Sequence, residues 1–418
     1  MWLAAALGVI ALAATACSSD SKSTSSGGSG SSSSTADLSV LGTAKPATGT
    51  AVTIGMITEG GSEAIGSQSA LAEQGAQIAT QYVNEYLGGI GGKPIDLFVC
   101  GNKSTPAGAQ DCANQMVEKK VAAVIWPFTG QGASVPIITG AGIPIIASSG
   151  SSTEELTTPG VFVLTGGYPA TLGVYAQDAK DRGVKKFAML VIDVPAATQG
   201  AQALGGIVFK NAGVDFSVIT APPGTPDLTP QLQDAVSQGA DAVGVTGDVT
   251  FCTSFLKAYQ TLALKLPKYV IATCNDQSVT AALPDVLAGS IEATISVAAG
   301  SPDAKLYAAM VQKYAPGKGI DPDPAKSSGV SLGASTVMNF IAGMKGFTGD
   351  PTPASIAAQF KTVKGTVFLG GGITYDCSSK PISIIPNICS AALQIGTVNA
   401  DGTVSNTKPV DSSALFKT

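Results

Sequence analysis

The chain has 418 residues, 44% of them hydrophobic and 6% aromatic, with 24 basic side chains, 29 acidic ones and no histidine, for a formal charge of −5. An acidic chain whose lone arginine is Arg182 is a poor partner for nucleic acid, which demands a basic face to neutralise phosphates. The lack of imidazole, with cysteines that fall into neighbouring pairs, leaves little material for a zinc or iron centre, so no metal and no cofactor is expected.

Residues 1–16 carry an uncharged apolar stretch from Trp2 to Ala16, the length of a signal-peptide core and too short to span a bilayer. Ala14, Thr15 and Ala16 stand directly before Cys17, and the run resembles a bacterial lipobox whose cysteine is diacylated; several acyl chains anchor a protein stably where one does not. An ordinary signal peptide, or a short apolar anchor that is retained, is the alternative. From Ser18 to about Ala36 the chain is almost entirely Ser, Gly and Thr, a composition that behaves as flexible coil. Residues 17–49 therefore read as a lipid-bearing cysteine and its tether.

The remaining roughly 370 residues exceed one compact core and suit two lobes. Six cysteines follow Cys17 as near neighbours: Cys100 with Cys112, Cys252 with Cys274, and Cys377 with Cys389. Proximity points to three local disulfides in an oxidising compartment. Many other connectivities are open, and buried free thiols are the competing reading.

Short β-branched runs alternate with helical periods along residues 50–300, the pattern of doubly wound parallel sheets. Strands are expected at Val52–Ile57, Ile95–Val99, Ala122–Ile125 and Pro144–Ala147. A helix is expected over Glu63–Leu87, with Leu71, Gly75, Ile78, Ala79, Tyr82, Val83 and Tyr86 at helical spacing. A second set begins after Tyr168, with strands at Phe187–Ile192, Phe216–Thr220, Ala242–Thr246 and Tyr269–Ala272. The fold class that follows is α/β with two lobes. Further on, Pro302–Tyr314, Lys326–Gly346 and Pro353–Phe360 read as helices, and Gly365–Leu369 and Ala391–Val398 as strands around a Gly370-Gly371-Gly372 turn.

Tyr82-Val83-Asn84-Glu85 followed by Gly88-Gly89-Ile90-Gly91-Gly92-Lys93-Pro94-Ile95, then Ala122-Ala123-Val124-Ile125 with Thr129-Gly130, then Gly142-Ile143-Pro144-Ile145-Ile146-Ala147-Ser148, resemble in order and spacing the branched-chain amino-acid-binding proteins, type I periplasmic solute-binding proteins of ABC transporters. The resemblance covers roughly residues 50–345. It implies two doubly wound α/β lobes joined by three hinge segments, closing over a ligand. The crossings are expected near Gly166–Pro169, Val297–Gly300 and Gly346–Thr352. Lobe one is then residues 50–167 and 299–347, and lobe two residues 168–298 and 348–418.

By position Thr129, Gly130, Ser149 and Ser151 match the hydroxyl and backbone groups such proteins use for an amino-acid carboxylate. Backbone N–H groups at helix starts can hold an anion without arginine; a plain polar turn and helix cap accounts for the same residues. Lobe two departs from the pattern, offering Ala197, Thr198, Asp248, Asn275 and Asp276 where aromatics and a carboxylate for the ammonium group are usual. Asp248 and Asp276 suit either a ligand cation or helix N-caps.

Gly329-Val330-Ser331-Leu332-Gly333 matches a nucleophile elbow but lies inside a helical period, and no histidine exists to activate Ser331. Glu154-Glu155 reads as a surface pair. An enzyme is thus not expected. The expected partners are a small polar solute, an ABC transporter permease and the lipid anchor of a monomer outside the cytoplasm, with a sensory lipoprotein acting on a membrane receptor as the alternative.

Overall fold

The computed structural model describes residues 36–62, 66–128 and 131–417, so Cys17, Thr129 and Gly130 lie outside the described residues. Residues 36–418 form one unit by internal contacts. Five parallel strands make a first sheet: β1 (Val52–Thr58), β2 (Ile95–Gly101), β3 (Ala123–Trp126), β4 (Ile145–Ala147) and β5 (Val161–Val163), in the order β2-β1-β3-β4-β5. The second sheet has seven: β6 (Lys186–Ile192), β7 (Asp215–Ala221), β8 (Ala242–Thr246), β9 (Lys268–Val270), β10 (Ile291–Thr294), β13 (Ala392–Val398) and β14 (Val404–Asp411), in the order β14-β13-β10-β9-β8-β6-β7. Only β13 and β14 run antiparallel to their neighbours. A small hairpin, β11 (Lys364–Thr366) with β12 (Thr374–Asp376), stands apart.

Both large sheets are α/β, with strand interiors such as β3 and β8 buried throughout, as parallel strands covered on both faces must be. The expected first helix occupies Gly66–Tyr82, widens into a π turn over Val83–Leu87 and ends at Gly88. The glycine-rich signature after it now has a physical cause. Gly88, Gly89, Gly91 and Gly92 all have positive φ, a region that side chains other than glycine rarely enter. Asn84 locks the turn onto β2 by accepting from the Ile95 N–H at 2.7 Å and donating to the Ile95 carbonyl at 2.9 Å.

The Ser328–Gly343 helix lies on the Gly66–Tyr82 helix with almost no intervening side chain. A Cβ on Gly333 would fall on the carbonyl of Ala72, and one on Gly75 on that of Val330. The residues that mimic a nucleophile elbow therefore serve close helix packing.

Three crossings join the sheets and are hydrogen-bonded to one another. The first leaves β5 at Val163 and enters the Gly167–Asp181 helix, which belongs to the second sheet: its Tyr175 hydroxyl donates to the Val270 carbonyl and Asp178 accepts from Tyr269. The second runs from β10 to the Pro302–Tyr314 helix. Gln394 ties it to the third, accepting from the backbone and hydroxyl of Ser296 and donating to Gly371. The third crossing is not at Gly346–Thr352 as expected. That stretch joins two helices on the first-lobe side: Asp350 pairs with Lys93 at 2.7 Å, and Phe360 of the Pro353–Phe360 helix stacks against Phe340 and leans on Phe162. The passage to the second sheet comes after Leu369, whose N–H is still held by Asp303.

The three disulfides are Cys100–Cys112, Cys252–Cys274 and Cys377–Cys389. Among the described residues no helix is long and apolar enough to cross a membrane.

Gly333→Ala is expected to cost about 2–3 kcal/mol of stability through overpacking. Gly206→Ala, where nothing lies within 4 Å of the added Cβ, is expected to be neutral or stabilising by about 0.5–1 kcal/mol. Equal urea midpoints for the two variants would contradict the close-packing account.

Candidate functional site

In open α/β sheets the crevice for a ligand lies beyond the carboxyl ends of strands where the winding reverses. Those points are β1/β3 in the first sheet and β6/β8 in the second. At the carboxyl ends of the sheets, the loop after β4 and the end of β8 meet at the first crossing. The Ser149 hydroxyl sits against Gly167, and the next residue, Tyr168, extends its own hydroxyl to Thr246 at the end of β8, 3.3 Å away. Burial raises the Tyr168 pKa, and the bond to Thr246 opposes the shift. Phe128, Val194 and Ile295, which follow β3, β6 and β10, leave about two fifths of their surfaces exposed (44%, 36% and 43%) and add an apolar rim.

Ser148 to Thr153 form the loop after β4. The Ser148 hydroxyl is 3.1 Å from that of Thr336, and its carbonyl accepts from the Thr165 hydroxyl at 2.7 Å. Ser149 is half-buried and Ser151 exposed. Ser152 caps the Thr153–Thr157 helix in a capping box with Glu155.

Glu155 is a correction to the expected surface pair, because it is fully buried. One carboxylate oxygen accepts from the Ser151 and Ser152 N–H groups, both at 2.9 Å. The other faces the Trp126 indole N–H, and neither of these two atoms reaches a full hydrogen bond. Burial pushes the Glu155 pKa up, with the Ser152 and Ser151 amides pulling against it. The Ser151 and Ser152 amides, of the kind expected to hold a ligand carboxylate, are thus committed to an internal one.

On the second lobe Thr198 is half-buried, its hydroxyl 3.4 Å from Asp193 and 3.5 Å from the Ile192 carbonyl. Asp248 caps the Val249–Thr261 helix, accepting from Phe251 N–H at 2.8 Å, and its side chain is exposed. Asp276 caps the Gln277–Ala282 helix; hydrogen bonds from the Ser278 side chain and backbone hold its carboxyl below the usual range. Asn275 turns inward instead, donating to Glu292 at 3.1 Å and to the Gly402 carbonyl at 2.7 Å.

The structure therefore brings Ser149, Tyr168 and the β8 end together, keeps Asp248 and Thr198 at the same sheet edge, and directs the Asn275 amide into the fold. Sequence reasoning missed Tyr168 as a site residue and Glu155 as a buried brace. The spacing Ser152-x-x-Glu155 is the capping-box signature that would have found the latter. Among the described residues no group of three potential metal ligands occurs.

The sequence model of a family described as periplasmic binding protein matches residues 51–383. No curated protein matches the chain. Among solved structures, the branched-chain amino acid transporter substrate-binding protein LivJ from Streptococcus pneumoniae, in complex with isoleucine, has a TM-score of 0.65 and 19% identity, covering 86% of this chain and 99% of its own. A fatty acid ABC transporter substrate-binding protein from Thermomonospora curvata has a TM-score of 0.64 and 16% identity, covering 88% and 93%. A solute-binding protein of an ABC transporter from Rhodopseudomonas palustris, in complex with 3,4-dihydroxybenzoic acid, gives 0.63 and 18%, covering 87% and 98%. At such identities the likeness is one of fold.

The Glu292 carboxyl, buried under Asn275, is pushed by burial from 4.5 to about 7, with hydrogen bonds from Asn275 and Thr294 opposing. Because the folded state keeps this proton after the unfolded chain has released it, the stabilisation is full below the unfolded value and is lost as pH rises through about 7. Glu292→Gln is expected to flatten that decline by up to about 3 kcal/mol. Urea midpoints across the range check it, and an unchanged slope in the variant would remove Glu292 as its cause.

Proposed function

The chain belongs to the periplasmic binding protein family, and from that membership we propose that it is the substrate-binding lipoprotein of an ABC importer, closing two lobes over a small polar solute without catalysing a reaction. The observation that carries the reading is the convergence of the Ser149 loop and the β8 end on Gly167 and Tyr168, the place where a hinge between the sheets must turn. Contacts made by both lobes only when closed would shift the population toward closure.

The proposed ligand contacts in lobe one are the hydroxyls of Ser149 and Ser151, and Thr129 and Gly130 are kept in the proposal from their place in the sequence alone. From the crossing and lobe two the proposal adds Tyr168, Thr198 and Asp248. Asp276 is exposed at the same edge and is kept in the proposal, whereas Asn275 acts as the link to Glu292. An amino acid or a similar solute, an amide or a small organic acid fits a site of hydroxyls, one aromatic and carboxylates. The isoleucine and dihydroxybenzoic acid held by the solved relatives mark the range of such solutes. We further infer acylation at Cys17, placing the protein outside the cytoplasm as a tethered monomer that meets a permease.

Thermal unfolding of the chain against amino acids, amides, small acids and sugars is expected to give a ligand that raises the midpoint with its occupancy, by about 2.7 kcal/mol at a hundredfold excess over Kd. Ser149→Ala with Ser151→Ala is expected to weaken that ligand by about tenfold or more. A silent panel would count against solute binding, and undiminished affinity would move the site off this loop. Labelling with radioactive palmitate is expected in the parent and not in Cys17→Ser; label retained by the variant would refute acylation at that residue.

A further inference from the structure

The chain's only arginine lies far from the crevice just described, at the opposite, amino-terminal edge of the second sheet. There a cavity of about 640 Å³ opens where β9 and β10 begin, lined by Arg182, Lys265, Lys268, Tyr259, Asp285 and mostly apolar neighbours. Three cations and one carboxylate line a cavity in a chain whose net charge is −5.

The cations reach it from both faces of the sheet. Arg182 ends the Gly167–Asp181 helix, and its Nε is held at 2.5 Å by Asp178, with its side chain 47% exposed. Lys268, the first residue of β9, is buried; its ammonium gives one hydrogen bond to the Ala288 carbonyl at 3.0 Å and stands 5.0 Å above the Tyr259 ring. Lys265 is exposed beside it. Burial first, and then the like charge of Lys265, depress the Lys268 pKa. Neither lysine forms an ion pair with a carboxylate among the described residues, and Asp285 pairs with neither.

A buried ammonium next to a second ammonium, with no counter-ion, is an uncompensated arrangement. An ammonium has three donors, of which Ala288 takes one, and a guanidinium fork matches an oxyanion in plane. We propose that this cavity is a second binding site, separate from the crevice, for a compact oxyanion of the phosphoryl kind, seated between Arg182, Lys265 and Lys268. Such a group is available from free phosphate or from a phospholipid headgroup.

The full chain carrying Cys17→Ser, which removes acylation from the comparison, is tested in two arms. The first is equilibrium dialysis with radiolabelled inorganic phosphate. The second is co-sedimentation with vesicles of phosphatidylglycerol or of phosphatidylcholine. Saturable binding is expected in at least one arm, with phosphatidylglycerol preferred over phosphatidylcholine if the vesicles are the source. Lys265→Glu, an exposed position without internal bonds, is expected to weaken binding at least tenfold, and Lys268→Met to abolish it, while Ser149→Ala with Ser151→Ala leaves it unchanged. Thermal midpoints show which variants fold; should Lys268→Met not fold, Lys265→Glu decides alone. Absence of saturable binding in both arms, equal affinity for the two vesicles without phosphate binding, or parental binding by Lys265→Glu would overturn the proposal.

Discussion

Val163 exchanges backbone hydrogen bonds with the third crossing, donating to Asn387 and accepting from Cys389, both at 2.8 Å. On this short parallel pairing depends the difference between a two-lobed chain and two tethered domains. The first and third crossings become one ribbon at that point, Cys377–Cys389 closes the loop behind it, and Gln394 brings in the second crossing from the other side. The third crossing also reaches the loop after β4. Asn387 donates its amide to the carbonyls of Glu155 and Thr158, so the helix whose start Glu155 braces is bonded to the hinge itself. A change in lobe angle that moves residues 387–389 must carry the base of the Ser149 loop with it, or break hydrogen bonds that have no solvent to replace them.

Much of this was legible in the sequence, for reasons that can be named. Buried parallel strands appear as continuous β-branched runs, and Ser301-Pro302 and Thr352-Pro353 announce helices because a hydroxyl caps and proline suits the first turn. The elements that escaped carry no such signal. β5 is three residues long between Gly160 and the hinge. β14 reads Val-Ser-Asn-Thr-Lys-Pro-Val-Asp, the charged and proline-bearing composition of an edge strand, which lacks an apolar alternation because one side has no neighbour. The third crossing was placed too early because glycines and a proline at 346–352 mark a turn without saying whether the chain leaves the lobe. That was decided by Phe360 finding Phe340 and Phe162, a contact remote in sequence.

The site divides along the same line. Hydroxyl-rich loops beyond strand ends could be located from pattern alone. Which of their donors remain free could not, since the commitment of the Ser151 and Ser152 amides follows from the burial of a carboxylate that, as one of two adjacent glutamates, looked ordinary. A buried carboxyl group under the loop fixes its geometry and occupies the Ser151 and Ser152 amides. In the proposed site, recognition would fall to side chains, which can be exchanged without rebuilding the loop, an arrangement suited to a fold whose solved relatives hold ligands as different as isoleucine and a dihydroxybenzoic acid.

Several charged groups of the second lobe sort by sheet edge, although Asp215, Asp241 and Asp285 stand on the amino-terminal side. Asp193, Asp248 and Asp276 follow the carboxyl ends of β6, β8 and β9, while Arg182, Lys265 and Lys268 gather at the opposite edge. Part of this separation is a by-product of winding: helices begin where strands end, so caps of aspartate collect at one edge and basic helix ends at the other, each favoured by the helix dipole. Asp248, Asp276 and Arg182 are accounted for in this way. Lys265 and Lys268 are not, since the helix preceding them has already closed at Leu262 and Lys268 lies within a strand. A strand lysine buried over a tyrosine ring, with a second lysine near it and no ion pair among the described residues, gains nothing from the dipole and costs desolvation. Its cost is what the proposed oxyanion would offset.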